Sequence, residues 1–139
     1  GEDVSLAIRT PELTRKVKFA AGAAPVREVL VARQQILAAE RPCVMEGRDI
    51  TTVVLPQAKW KFYLDASVRC RAERRLRDFS AAGKTGSLEE CMADVEARDR
   101  SDRERAVGPL KRIPEQIYLD TTGMDAGQVI DWIVAQVRK

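Results

Sequence analysis

Short continuous apolar runs alternate along this chain with longer amphipathic stretches. Continuous apolar runs of strand length, unlike alternating ones, predict parallel strands that are covered on both faces. Three such runs occur, and the β-branched run after Asp49 also has the composition of buried sheet. The three predicted strands are Pro42–Gly47, Trp60–Ala66 and Gln116–Thr122.

The amphipathic stretches predict five helices, several of which have recognisable ends. Ser67 and Ser87 stand at N-cap positions, Glu90 completes a capping box with Ser87, and Gly83 is placed to end a helix. Strands that alternate with helices indicate an α/β fold with a parallel sheet between helical layers. The five predicted helices are Pro11–Ala21, Pro25–Glu40, Ser67–Gly83, Ser87–Ala106 and Asp125–Lys139.

Two of these helices have an apolar stripe that marks the face expected to be buried. In the helix from Pro25 the stripe contains Val26, Leu30, Arg33 and Leu37, with Val29 and Ile36 beside it. In the last helix it contains Val129, Trp132, Ile133 and Val137.

Charged residues follow the predicted strands. Asp65 and Asp120 close the second and third strands, where they either face a ligand at the carboxyl edge of the sheet or cap the next helix. Arg48 and Asp49 follow the first strand, as a surface ion pair or as part of a binding site at that edge.

Composition narrows the possible chemistry. The 139 residues include three cysteines and no histidine, so the commonest general base and metal ligand is absent and we expect no metal site. The wide cysteine spacing fits neither a disulfide framework nor zinc, which favours reduced thiols and a cytoplasmic location. Arginines between Arg69 and Arg112 alternate with acids, unlike a basic nucleic-acid tail, and no apolar run is long enough for a membrane span.

The dense segment near Arg98 is the strongest candidate for a binding site. On a helix Arg98, Asp102 and Arg105 share one face, where two guanidinium forks can clamp a phosphate beside a carboxylate. The alternative is a solvated helix with weak Asp–Arg pairs. Gly83-Lys84-Thr85 follows a predicted helix and lacks the upstream glycine of a P-loop, so it does not predict a phosphate cradle.

Several motifs occur in order along the chain: "VRE", "EGRDI", "YLDAS", "RAERR", "RDRSDRERAV" and "YLDTTGM". Together they resemble bacterial cytidylate kinase, which transfers the γ-phosphoryl group of ATP to CMP or dCMP. The resemblance implies a P-loop kinase-like fold, with a three-layer parallel sheet flanked by helices. Residues 1–42 then form a mostly helical CMP-binding insert, and residues 43–139 form the core with a lid around 68–88.

The resemblance also implies roles for individual residues. Arg27, Arg48 and Asp49 match positions that face CMP, with Asp49 on the cytosine and sugar side. Arg98 and Arg105 match phosphate-clamping arginines that act in catalysis, and Asp102 matches an aspartate that holds the sugar. The lid arginines, which close over the ATP phosphates, correspond to Arg71, Arg74 and Arg75.

The chain departs from the family pattern in three places. Lys18 replaces a serine that lines the base pocket, and Thr51 replaces a glycine that permits close backbone approach. The P-loop that opens the family's sequence does not occur in these 139 residues. The complete enzyme is expected to use ATP and Mg²⁺ and to be a monomer. The 139 residues are expected to be a fragment that is inactive alone; the alternatives are a non-catalytic nucleotide-binding or protein-interaction module and, on weaker grounds, a nucleic-acid binder.

Overall fold

The computed structural model describes residues 2–5, 7–8, 13, 16, 19 and 22–139. In this part four helices, two strands and a π-helical turn at Ile50–Val54 have defined bounds, and Leu13, Lys16, Phe19 and Gly22 are also helical. The predicted helix Pro11–Ala21, apart from Leu13, Lys16 and Phe19, lies outside the described residues, and so does Lys18. The elements in chain order are α1 Ala24–Glu40, the π turn, β1 Phe62–Asp65, α2 Val68–Ala81, α3 Leu88–Glu104, β2 Ile117–Asp120 and α4 Ala126–Val137.

The chain divides into two compact units. The first contains Gly1–Pro56 and Arg105–Leu110, and the second contains Gln57–Glu104 and Lys111–Lys139. The first unit therefore holds α1 and the π turn, whereas the second holds the sheet with α2, α3 and α4. The α/β class is confirmed by helices and a parallel sheet, while the P-loop kinase-like three-layer arrangement and the division at residue 42 stay predictions.

The second unit is built around a two-stranded parallel sheet. β1 and β2 pair in register from Phe62 opposite Ile117 to Asp65 opposite Asp120. Both strands were predicted, and each is shorter than its apolar run. The α4 residue Trp132 packs edge-on against Phe62 of β1, with ring centroids 6.2 Å apart.

The predicted strand Pro42–Gly47 does not form. Residues 42–46 have no regular secondary structure, and Val44 is 99% exposed. The following β-branched run forms the π turn and not a strand. A strand needs a neighbour to pair its N–H and C=O groups, and in the described residues β1 and β2 pair only with each other. Arg48 and Asp49 therefore follow an irregular segment and not a sheet edge.

The predicted helix ends are confirmed for α2 and α3. The Ser67 hydroxyl accepts from the Cys70 N–H at 3.2 Å. Ser87 and Glu90 form a reciprocal capping box, with distances of 3.1 and 2.9 Å. Gly83 follows α2 at φ +68, a left-handed conformation that glycine adopts without strain, and so ends the helix. A second capping box, between Asp125 and Gln128, begins α4.

Asp65 and Asp120 do not cap these helices. The Asp65 carboxylate accepts from the N–H of Ala66 at 2.9 Å, and the Asp120 carboxylate accepts from that of Thr122 at 2.8 Å. Hydrogen bonding by the Thr122 side chain, together with this N–H, lowers the pKa of Asp120. Both carboxylates are thus used in local turns, which leaves capping to Ser67 and Asp125, and their ligand-facing role stays a prediction.

The apolar stripe predicted on α1 is wrong as a buried face. Val26, Leu30 and Leu37 are all exposed in the described structure, and α1 contains no fully buried residue. The less exposed side of the helix carries Arg27 and Val31. On this helix the Gln35 amide donates to the Val54 carbonyl at 3.1 Å, so α1 packs on the π turn through polar contacts as well as apolar ones. On α4, Val129, Trp132 and Ile133 are half-buried, but Val137 is exposed.

Candidate functional site

Asp49 lies at the centre of a charged cluster in the first unit. Its residue surface is only 4% exposed, although a lone carboxylate is strongly disfavoured at such a position. The π turn holds it there, because the Asp49 carbonyl accepts from the N–H groups of Val53 and Val54 at 2.9 and 3.2 Å. The turn therefore fixes the backbone from which the carboxylate projects.

Two arginines compensate the buried carboxylate. The Arg27 Nη2 donates to Asp49 Oδ2, and the Arg105 Nη2 lies 3.7 Å from Asp49 Oδ1. The side chains of Arg27, Arg105 and Asp49 are 12%, 18% and 5% exposed. Two guanidinium groups against one carboxylate leave one formal positive charge in excess in a sheltered place. We call Arg27, Asp49 and Arg105 the Asp49 cluster.

The Asp49 cluster has spare hydrogen-bond donors. Arg27 Nε and Arg105 Nη2 are buried and have no hydrogen-bond partner among the described residues. Arg105 uses its Nε toward the Gly108 carbonyl, in a turn where Gly108 has φ +59. Buried polar groups in native proteins are nearly always paired. These two donors without a hydrogen bond, beside a carboxylate, are therefore suited to bind a ligand that has acceptor atoms.

A cavity of about 310 Å³ adjoins the cluster at Arg27. Its other walls are largely apolar, which is the usual character of a small-molecule site with a few convergent polar groups. The lining residues are Ala24, Arg27, Glu28, Val31, Ala32, Gln35, Val53 and Val107.

Within the first unit the structure brings together three of the predicted site residues, Arg27, Asp49 and Arg105. Arg48 neighbours Asp49 in the chain and is exposed. Arg98 and Asp102 lie on α3 in the second unit, where their charged groups are 3.9 Å apart. Arg105 follows α3 and belongs to the first unit, so the three residues expected on one helix face do not share a helix. The convergence of Arg98 and Asp102 with Arg48 and Asp49 stays a prediction.

The predicted lid arginines all contact protein acceptors within the second unit. Arg71 forms two 2.7 Å bonds to the Asp99 carboxylate, and its Nε donates to the Ala66 carbonyl at 2.9 Å. Arg74 donates to the carbonyls of Thr121 and Met124 and to the Thr121 hydroxyl. Arg75 pairs with Asp94 at 3.2 Å. Their role toward ATP stays a prediction.

Asp99 lies within the "RDRSDRERAV" motif but was not among the predicted site residues. It receives both prongs of Arg71, and its carboxylate also lies 3.7 Å from the Arg103 guanidinium one turn along α3. The hydrogen bond to Asp99 is the main cause of a raised pKa for Arg71. The spacing of Asp99 and Arg103 is visible in the sequence, but the partner on α2 is set only by helix packing.

Comparisons with known proteins decide the family. A family model described as "Cytidylate kinase" matches residues 1–139. The chain belongs to the cytidylate kinase family. A cytidylate kinase from Desulforamulus reducens is 45% identical over all 139 residues, and a bifunctional pantoate ligase/cytidylate kinase from Synechococcus sp. is also 45% identical over 139 residues. The chain spans 63% of the first of these proteins and 26% of the second.

Family membership confirms the resemblance drawn from the motifs. In the described parts of this cytidylate kinase family member, no group of three or more His, Cys, Asp and Glu side chains is arranged to hold a metal ion. Nor is any of its described helices both long and apolar enough to cross a bilayer.

Proposed function

We propose that this chain forms the CMP-binding and lid portion of an ATP-dependent cytidylate kinase that converts CMP or dCMP to the diphosphate. Family membership supports the reaction class. The observation that carries the proposal is the Asp49 cluster, in which a buried carboxylate is flanked by two arginines with unused donors. The complete enzyme is proposed to be a cytoplasmic monomer that acts on small nucleotides.

The Asp49 cluster complements the hydrogen-bonding edge of cytosine. Cytosine presents an exocyclic amine donor beside two acceptors, N3 and O2. We propose that the Asp49 carboxylate accepts from the amine and that Arg27 donates to the neighbouring acceptors. Because the cluster is sheltered from water, each of these hydrogen bonds discriminates strongly against a base that lacks the matching group.

The remaining roles are proposed from the family. Arg98 and Arg105 bind the phosphate of CMP and stabilise the negative charge that is shared during transfer, as arginines do in phosphoryl-transfer sites. Asp102 holds the sugar hydroxyls, and Arg48 contributes a further positive charge. Arg71, Arg74 and Arg75 belong to the segment proposed as the lid.

The residues present do not fit a seat for ATP and Mg²⁺. The 139 residues contain no P-loop sequence, whose backbone and lysine hold the β- and γ-phosphates. The described residues also offer no cluster of metal ligands. Binding and orientation of the acceptor nucleotide are therefore the functions that these residues supply.

The first prediction concerns base recognition by the unaltered chain. CMP is expected to bind at least about tenfold more tightly than UMP, because the uracil O4 would place an acceptor against the Asp49 carboxylate. N4,N4-dimethyl-CMP, which lacks the amine hydrogens, is expected to lose a similar factor. Titration calorimetry with the three nucleotides measures both differences.

The matched control is dCMP, which keeps the cytosine edge and changes only the sugar. Its affinity reports on the sugar contacts without altering the base contacts. Equal affinity for CMP, UMP and the dimethyl analogue would show that the Asp49 cluster does not read the base.

The second prediction concerns catalysis by the 139-residue polypeptide. With CMP and Mg-ATP we expect ADP release no faster than the rate without enzyme, because no P-loop positions the donor phosphates. A coupled ADP-release assay makes the measurement, after circular dichroism has shown the polypeptide to be folded. Turnover in the ordinary range for kinases, about 1–100 per second, would disprove the proposal that these residues bind CMP but do not position ATP.

A further inference from the structure

We propose that Arg71 and Asp99 are positioning residues, which hold the last turns of α3 so that Arg98 and Asp102 face the nucleotide. This assigns Arg71 a different task from the phosphate contact expected of a lid arginine, and it assigns a task to Asp99. The proposal rests on the proposed function, in which Arg98 and Asp102 bind CMP.

All three guanidinium nitrogens of Arg71 donate hydrogen bonds to acceptors within the protein. Nη1 and Nη2 each bond one oxygen of Asp99 at 2.7 Å, and Nε bonds the Ala66 carbonyl at 2.9 Å. Such a fork-to-fork contact is the strongest and most directional form of an Arg–carboxylate pair. A phosphate would have to displace one of these bonds, so Arg71 is poorly suited as a direct ligand.

The three bonds connect three elements of the second unit. Arg71 lies on α2, Asp99 lies on α3, and Ala66 immediately follows β1. The pair thus ties the C-terminal half of α3 to the carboxyl end of the sheet as well as to α2. Because a guanidinium fork fixes both distance and direction, the link restricts rotation of α3 about its own axis as well as its separation from α2.

Rotation of α3 matters because of where Arg98 and Asp102 project. Successive helix residues differ by about 100°, so Arg98 and Asp102 lie on the same flank, each within about 100° of Asp99. Arg98 is exposed, and it lies 3.9 Å from Asp102. Holding Asp99 against Arg71 therefore sets the direction in which both of these side chains point.

A second ion pair between the same helices provides an internal comparison. Arg75 on α2 pairs with Asp94 on α3 at 3.2 Å, but through one nitrogen and with side chains 36% and 63% exposed. The corresponding exposures for Arg71 and Asp99 are 29% and 15%. An exposed single contact stabilises weakly, whereas the sheltered fork holds its partners in place.

The test is a double-mutant cycle in the 139-residue chain with Arg71→Met, Asp99→Asn and the double variant. Each single substitution is expected to weaken CMP binding by about tenfold and to speed amide hydrogen exchange at residues 98–104 by a similar factor. The double variant should be no worse than either single variant, because the two side chains act as one unit. Asp94→Asn, which removes the second ion pair between the same helices, is the matched control and should leave both quantities within about twofold.

Conservative variants keep the test decisive if a single variant does not fold. Arg71→Lys retains the charge without the fork and should reproduce the loss, while Asp99→Glu retains the carboxylate and should restore part of the affinity. An effect of Arg71→Met that Asp99→Asn does not share would identify Arg71 as a direct ligand and overturn the proposal. Equal losses in Asp94→Asn would also overturn it, because they would indicate general loosening of the helix pair.

The two readouts separate this inference from the function on which it rests. If the unaltered chain fails to bind CMP, the proposed function fails. Hydrogen exchange at residues 98–104 then still shows whether the pair orders the end of α3, and unchanged exchange in both single variants refutes the positioning role.

Discussion

Replacing Asp49 with asparagine is expected to lower the free energy of unfolding of the chain by about 3 kcal/mol. The substitution keeps the shape of the side chain but leaves Arg27 and Arg105 as two like charges, which are only 12% and 18% exposed. Removing one partner of a buried ion pair is costly because the remaining charge has lost its hydration without compensation. Urea denaturation followed by circular dichroism measures the change.

The matched control for this prediction is Glu46→Gln. Glu46 is an exposed carboxylate three residues away, so its neutralisation removes the same charge from nearly the same place in the chain. We expect a change within about 0.5 kcal/mol, as for most surface substitutions. A similar small effect for Asp49→Asn would mean that the cluster is open to water and that its arginines need no counter-charge.

The Arg74→Met substitution is expected to destabilise the chain by about 2–3 kcal/mol. Arg74 donates to the carbonyls of Thr121 and Met124 at 2.7 and 3.0 Å and to the Thr121 hydroxyl at 3.2 Å. Thr121 is 5% exposed, and its hydroxyl bonds the Asp65 carbonyl at 2.8 Å. Loss of the guanidinium removes three bonds from the loop that joins β2 to α4; among the described residues the Thr121 carbonyl keeps only the Met124 N–H at 3.0 Å, and the Met124 carbonyl loses its Arg74 donor. The unfolding midpoint in urea reports the loss.

Arg77→Met serves as the control for this substitution, since Arg77 is exposed on the same helix. It removes the same charge from the same arginine-rich surface, and the expected change is within about 0.5 kcal/mol. If the two variants proved equally stable, Arg74 would be free to reach a ligand, as the lid interpretation requires, and the loop contacts would contribute little.

Local signals in the sequence predicted the helices well. Ser67, the Ser87–Glu90 box and Gly83 act through bonds to residues a few positions away, so their effect does not depend on the rest of the fold. The strands at Phe62–Asp65 and Ile117–Asp120 were also predicted, because a continuous apolar run of strand length is typical of a buried parallel strand.

The same reasoning failed where an element depends on a partner. The run from Pro42 has the composition of a strand, yet it forms none, because strand formation requires a neighbour to complete its hydrogen bonds. The stripe on α1 failed for a related reason. Periodicity identifies an apolar face, but whether that face is covered depends on what packs against it.

For the candidate site, the residue motifs by themselves identified the family, the arginine and aspartate side chains proposed to bind the nucleotide, and the helices that carry some of them. Such information is local, because it resides in residue types and in spacings of a few positions. Only the tertiary structure decided that Arg27 and Arg105 meet at Asp49, although 22 residues separate Arg27 from Asp49 in the chain. It also decided that Arg71 is engaged by Asp99, 28 residues away. Contacts at that separation depend on how whole elements pack, and no pattern within a single helix or strand contains them.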